Sequence, residues 1–252
     1  MHSYHKALLV LTVMAVLAVV TMASLRNQSQ ENLSKKQQKI AGLDESQWPV
    51  ANCDTSKSPD AKNSAKREAK NKRHNNSLFG VKEAVKAPPD TGHMIILSED
   101  WEVGLPPLPI DRSDVVVTGE VTDAQAYFST DQTGIYSEFT IRVEEVLKRD
   151  SVSPVASGDV ITAVRQGGRV RAPSGRIQLF RIAGQEMPRQ GRRYVVFLQR
   201  KEAEHDFDLL TGYELRDGKV SPLDAGITKF NIYKGTDEAS LLQAVRNAIA
   251  QP

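Results

Sequence analysis

The sequence has few cysteines and few aromatic residues. Cys53 is the one cysteine among 252 residues, so a disulfide within the chain and a cysteine-based metal cluster are both excluded. Cys53 also lies almost thirty residues beyond the apolar N-terminal run, too far to be a lipoprotein acceptor. Aromatic residues make up 6 % of the chain, which leaves few rings for stacking on nucleic-acid bases.

A strong overall charge is absent as well. The formal net charge is +2, but residues 1–90 hold 14 Lys/Arg against 8 Asp/Glu, whereas residues 91–252 hold 19 against 23. The chain therefore joins a basic N-terminal part to a mildly acidic C-terminal part. Overall basicity gives no argument for nucleic-acid binding.

No catalytic or cofactor motif is present in the sequence. It contains no Walker-type loop, no dinucleotide fingerprint and no Gly-x-Ser-x-Gly elbow. Of the five histidines, His205 alone lies in the predicted domain, within an acidic stretch that suggests a metal site or a solvated hairpin loop. The other four, including His74, lie in parts expected to lack a preorganised site. We predict no enzyme activity, no metal, no cofactor and no small-molecule substrate.

Residues 7–25 form a run of nineteen residues without a charge. About 20 helical residues span the hydrocarbon of a bilayer, so residues 1–25 are predicted to be a transmembrane anchor or a cleaved signal peptide, and both fit the sequence. Basic residues after the run favour a cytoplasmic C-terminus, whereas the usual layout of a single exported domain favours the opposite. We expect a membrane-anchored or exported protein whose domain lies outside the cytoplasm.

Residues 26–106 are rich in Lys, Asn, Ser, Gln and Ala. Such a composition buries little apolar surface to offset the entropy of ordering, so this range is predicted to be a disordered basic linker. The run 57–73 contains helix formers but no apolar face, and is interpreted as a solvated tether. Prolines at 106, 107 and 109 mark the boundary of a domain over 107–252.

Short apolar runs separated by turn residues follow the prolines. The alternation over 135–147 is the clearest strand pattern, 194–198 is typical of a buried central strand, and Asp217-Gly218 predicts a hairpin turn. Gly119 is expected at a bulge. Six or seven such strands predict a mainly β fold, a small antiparallel OB-like β-barrel or sandwich.

The chain is predicted to end in an α-helix that begins after Thr236. Thr236 is expected to cap it, and an apolar stripe that includes Leu241 and Val245 is expected to pack on the barrel or, as the alternative, to form a dimer interface.

The segments VVVTGEV, YSEFTIRVEEVLKRD, SGDVITAVRQGGRV, GRRYVVFL and GYELRDGKVSPL lie within residues 112–223. In these segments the chain resembles a family of uncharacterised exported bacterial proteins with one small OB-like β-barrel domain. The resemblance implies the fold and carries no catalytic residue.

One cluster of charge suggests a binding surface. Eight arginines lie between residues 165 and 193, with Glu186 as the one acid. Because guanidinium groups pair bidentately with phosphate and carboxylate, an anion-binding face is predicted at Arg165, Arg169, Arg171 and Arg176. In the alternative interpretation these arginines pair with Glu138, Glu144 and Glu145 on neighbouring strands.

Three functions therefore compete. The first is a non-catalytic binding or interaction module of the cell envelope, with a protein or anionic polymer as its partner. The second is a barrel that binds a polyanion such as a glycan or nucleic acid, and the third is a hydrolase or metal-dependent enzyme built on His205. We expect the first.

Overall fold

The structure is a computed structural model that describes residues 45–52, 64–86, 94–149, 152, 154–201 and 206–251. Residues 47–252 group into one unit, and of the preceding unit only residues 45 and 46 are described. The strands are β1 (Val50–Asn52), β2 (Met94–Leu97), β3 (Val115–Phe128), β4 (Ile135–Lys148), β5 (Val160–Gln166), β6 (Gly168–Arg171), β7 (Ile177–Ile182), β8 (Arg193–Arg200), β9 (Asp206–Arg216) and β10 (Lys219–Pro222). The α-helices are α1 (Ser64–Arg73), α2 (Val81–Lys86) and α3 (Glu238–Ala250), and three 3₁₀ helices cover Glu45–Gln47, Ile110–Arg112 and Thr228–Tyr233.

Five strands pair in a closed ring. β3 pairs with β4, β4 with β5, β5 with β9, β9 with β8, and β8 again with β3. β10 extends β9 as a hairpin. Closing a sheet in this way leaves no unpaired edge within the ring, and the side chains that point inward form one core.

A second, four-stranded sheet has the order β1-β6-β7-β2. Its centre is the β6–β7 hairpin, and β1 and β2 add to the two sides in parallel. Both outer strands come from residues N-terminal to the ring. The chain before residue 107 is therefore needed to complete this sheet.

The mainly β architecture with a C-terminal helix is as predicted, and several local features agree. The register of β3 shifts at Gly119, where an added Cβ would lie 2.6 Å from the carbonyl oxygen of Arg142. Asp217 and Gly218 both have positive φ, as the hairpin turn requires. The prediction of antiparallel pairing within residues 107–252 is wrong for β5–β9, which is parallel, because partners distant in sequence give no local signal. The pairs β1–β6 and β2–β7 are also parallel, and β1 and β2 precede the predicted domain.

Three clusters of buried side chains hold these layers together. The first fills the ring and includes Phe139, Ile141 and Phe207. The second lies between the ring and α3, and the third, around Phe79 and Phe180, joins the small sheet and α2 to the ring.

The described parts of residues 26–106 contain β1, β2, α1 and α2. The side chains of Trp48, Phe79 and Val81 in this range are at most 5 % exposed. A composition averaged over eighty residues hides such isolated anchors, each of which fills a place in a core formed by the later strands. The rest of that range lies outside the described residues.

The C-terminal helix packs as expected, with a different cap. Leu241 and Val245 are fully buried against the barrel. The N-cap residue is Asp237, whereas the hydroxyl of Thr236 donates to the carbonyl of Tyr233 at 2.7 Å. The prediction of Thr236 as the cap is therefore wrong, because that hydroxyl closes the preceding turn.

In the described part of the chain, no helix is both long and apolar enough to cross a bilayer. The predicted span at 7–25 lies outside these residues, as does Cys53.

Candidate binding face

Arg165, one of the four arginines predicted to form an anion-binding face, instead lies in the interior. Its guanidinium binds the Asp224 carboxylate in a bidentate pair at 2.8 and 2.7 Å and donates to the carbonyls of Leu210 and Glu186. Both side chains of the pair are at most 1 % exposed. A buried guanidinium with a carboxylate partner is a structural link, here between β5 and the segment after β10.

The other three predicted arginines lie together on the small sheet. Arg169 and Arg171 are on β6, and Arg176 immediately precedes β7. Arg171 is exposed, whereas Arg169 and Arg176 are partly buried, and the Arg169 side chain donates to the carbonyl of Trp48 at 2.9 Å. The structure therefore brings three of the four together, and of these Arg171 is exposed.

The alternative interpretation, pairing with glutamates of β4, is correct in part. Arg193 forms a bidentate pair with Glu144. Glu145 pairs with Arg246 of α3 at 2.7 Å, and Arg246 lies outside the arginine cluster. Glu138 pairs with Arg67 of α1, a partner outside the arginine cluster.

Two histidines, His74 and His205, bear on the predicted sites. His205 lies outside the described residues, so the structure does not describe the site suggested there. His74, assigned to the linker, instead stacks on the ring of Tyr136 with 4.2 Å between the ring centroids. Among the described residues no group of three or more His, Cys, Asp or Glu is arranged to hold a metal ion.

Around His74, helix α1 covers the closed ring with charged groups. Phe139 and Ile141 of β4 point into the ring, and because side chains alternate along a strand, Tyr136 and Glu138 point outward. Helix α1 lies over them with a stripe formed by Arg67, Lys70 and Asn71, and His74, the first residue after the helix, continues it. This i, i+3, i+4, i+7 spacing is that of one helix face.

Glu138 is the centre of the contact. Arg67 binds it with both terminal nitrogens, at 2.5 and 2.9 Å, and Lys70 donates to it at 2.9 Å. The Glu138 and Lys70 side chains are about one-tenth exposed or less. Two cations on one carboxylate in such a place make charge-assisted hydrogen bonds that water screens weakly.

Two tyrosines complete the pocket for the guanidinium. The Arg67 guanidinium lies 3.6 Å from the ring centroid of Tyr127, which stacks on Tyr136. The Tyr136 hydroxyl accepts from Arg67 at 3.1 Å and donates to the amide oxygen of Asn71 at 2.7 Å. A carboxylate with adjacent aromatic faces is a favourable environment for a guanidinium ion.

Asp206, at the start of β9, extends the acidic character of the face. It is 2 % exposed. The Lys70 and Arg73 side chains lie 3.3 and 3.7 Å from its carboxylate oxygen Oδ2. We call Tyr127, Tyr136, Glu138 and Asp206 the acidic face.

The charge states follow from these contacts. Burial by itself would raise the pKa of Glu138, but the hydrogen bonds and positive charges of Arg67 and Lys70 outweigh it and hold that pKa below its usual value. Burial lowers the pKa of His74 to about 4, helped by the charge of Arg73. At neutral pH the acidic face therefore carries an ionised Glu138 beneath a neutral imidazole.

This face gives no apolar signal in the sequence. The run around Arg67 has no apolar side on a helix, which is the pattern typical of a solvated tether. A signal was available in the polar residues, since Arg67, Lys70, Asn71 and His74 share one helical face. Their partner Glu138, about seventy residues later, gave no local sign.

Comparison with known proteins adds no assignment: no protein-family model matches the chain, and neither does any curated protein.

Proposed function

We propose that the protein is a non-catalytic binding module of the cell envelope, whose acidic face binds cationic, arginine-containing segments of a protein partner. The observation that carries the proposal is the docking of Arg67 between Glu138 and Tyr127. We propose further that residues 7–25 anchor or export the chain, which belongs with the exported OB-like proteins it resembles.

The strand pairing supports an OB-like barrel. Taken in chain order, the five strands of the ring pair as first with second, second with third, third with fifth in parallel, fifth with fourth, and fourth with first. Barrels of this kind bind ligands on the face of their second and third strands and with the loops next to it. In this chain the second strand is β4, which carries Tyr136 and Glu138.

The acidity of this face favours a cationic ligand. Glu138 and Asp206 would repel a polyanion that followed the same path. The alternative, a glycan or nucleic acid on the small sheet, has less support, since Arg165 is committed to Asp224 and Arg171 alone of the four is exposed.

A peptide titration tests the proposal. In the full-length chain, purified in mild detergent, the double variant Arg67→Ala/Lys70→Ala removes the cations that occupy the acidic face. A labelled peptide of residues 64–74 should bind this variant saturably and more weakly at high salt. Adding Glu138→Gln to the variant should weaken binding at least about tenfold, because the charged partner of the guanidinium is lost.

Two controls make that result specific. A peptide with Glu in place of both Arg67 and Lys70 should not bind, and Glu214→Gln, on another part of the barrel, should leave binding unchanged. Absence of binding at low salt, or binding that ignores Glu138→Gln, overturns the proposal.

A further inference from the structure

Helix α1 occupies the acidic face without contributing apolar side chains to the core. The residues of α1 that are buried or partly buried are all polar, and Ala65 and Ala69 are exposed. None of its residues belongs to a core cluster. The helix is therefore held by polar contacts that an ionic competitor can replace.

A helix of this length does not persist without its contacts. α1 has ten residues, and isolated helices shorter than about 12 to 15 residues are marginal in water. The strongest contacts of α1 are the bonds of Arg67 and Lys70 to Glu138. Asn71 accepts from the Tyr136 hydroxyl and, through its carbonyl, from the N–H of Thr130. Lys70 and Arg73 add ion pairs with Asp206. Loss of the Glu138 contacts should thus release and unwind α1 in one step.

The chain after α1 is fastened separately. The backbone N–H groups of Val81 and Lys82 donate to the carbonyls of Thr133 and Gln132, each at 3.0 Å. Phe79 and Val81 are buried in the cluster beside the small sheet. α1 can accordingly leave the acidic face while the following turn and α2 stay in place.

The fit of α1 to the face is incomplete at its C-terminal end. Asp206 is 2 % exposed, yet its Oδ1 makes no hydrogen bond within the described residues. The Nε of Arg73 and the Nε2 of His74 are likewise buried there without one. Buried polar atoms in this state cost free energy, so a ligand with a better-placed donor toward Asp206 would bind this end more tightly than α1.

We propose that α1 is a displaceable internal ligand, and that the acidic face docks a cationic helix of a partner protein in competition with it. This rests on the proposed function and names its partner and its regulation. The complementary helix carries Arg and Lys three residues apart, as Arg67 and Lys70 are, and a further donor one turn later toward Asp206. Charge complementarity favours such a helix as the ligand, since Glu138 already binds two cations at once.

Competition has a measurable consequence. A ligand that must first displace α1 binds with an affinity reduced by the fraction of molecules whose face is open. The peptide of residues 64–74 is the probe. Its affinity is compared for the wild-type chain, for Arg67→Ala/Lys70→Ala, and for Lys72→Ala, whose side chain is 61 % exposed and pairs with Glu68 within α1.

Each result decides a separate point. Binding to the double variant at least about tenfold tighter than to the wild type and to Lys72→Ala supports competition. Equal affinity for all three overturns it and leaves the binding face standing. Absence of binding to the double variant overturns the proposed function itself.

Hydrogen exchange of the wild-type chain provides a test free of folding effects. Excess peptide should speed the exchange of amides 68–73 of α1, because the displaced helix unwinds, while amides of β4 remain protected. If the peptide is bound and α1 stays protected, α1 is a fixed part of the fold and the inference is wrong.

Discussion

Helices α1 and α3 pack on the same barrel by opposite means. α3 buries Leu241 and Val245 completely, against a cluster that includes Phe197 and Tyr213. α1 turns Arg67 and Lys70 toward the barrel and leaves its alanines in solvent. The first contact depends on removing apolar area from water, and the second on a few charged groups in a setting that water screens weakly.

The difference explains what each helix is suited to do. The free energy that burial of apolar side chains contributes varies little with salt or pH. We therefore expect α3 to stay in place as part of the fold. Ionic contacts respond to salt, to protonation and to a competing charge. α1 is accordingly the element of the two that a partner or a change of conditions can move.

The largest effect is expected from α3. Leu241→Ala should lower the free energy of unfolding by about 3 kcal/mol, because it removes a fully buried side chain and leaves a cavity. Urea denaturation at low and high salt measures it, and the loss should be the same at both. Gln243→Ala, on the exposed side of α3, is the control and should change stability by less than about 0.5 kcal/mol. A loss that depended strongly on salt would contradict the apolar account.

A somewhat smaller effect is expected at the centre of the α1 contact. Glu138→Gln keeps the shape of the side chain but leaves Arg67 and Lys70 facing a neutral amide, which should weaken docking by about 2 kcal/mol. Hydrogen exchange of the α1 amides should accelerate accordingly, and added salt should reduce the difference from wild type. Unchanged protection of α1 would mean that contacts other than Glu138 hold the helix. Lys72→Ala, on the exposed side, serves as the control.

The smallest effect concerns pH. The folded pKa of His74 lies at about 4, below the value near 6.5 of an unfolded chain. As pH falls from 7 to 5 the unfolded state takes up a proton that the folded state resists, so stability falls, by about 1 to 2 kcal/mol at pH 5. Glu138, with its lowered pKa, loses its contribution only at lower pH.

His74→Gln isolates the histidine in that experiment. The variant should lose less stability than the wild type between pH 7 and pH 5, measured by urea denaturation at each pH. Equal slopes for the two proteins would show that His74 does not supply the pH dependence. Subtracting the two curves also removes any contribution from Asp208, whose pKa burial raises.

Some structural elements could be predicted from the sequence and others could not, and the difference has a physical reason. The β4 strand was predicted almost to its ends, because Phe139, Ile141 and Val143 alternate with polar residues and that period is local. The turn at Asp217-Gly218 was equally predictable, since its positive φ angles favour those residue types. The parallel pairing of β5 with β9 was not, because the two strands meet across some forty residues that carry no mark of the contact.

The arginine cluster illustrates the same limit for the candidate site. Arg165 and Arg171 look alike in the sequence, yet one lies against Asp224 in the interior and the other in solvent. Which environment an arginine occupies depends on the direction of its strand and on a carboxylate from a distant segment. The cluster therefore suggested a binding surface that the structure divides between the interior, the small sheet and the barrel surface.

The sequence alone determined the β-rich domain, its hairpin turn, its bulge at Gly119 and the apolar helix at its end, because periodicity and turn chemistry are properties of neighbouring residues. The tertiary structure alone decided that residues before 107 complete a second sheet and that a basic helix docks on the acidic face. Ionic docking joins Arg67 to Glu138 across 71 positions. This ion pair is strong because folding buries it. Burial of a single ion pair leaves no periodic pattern in the sequence.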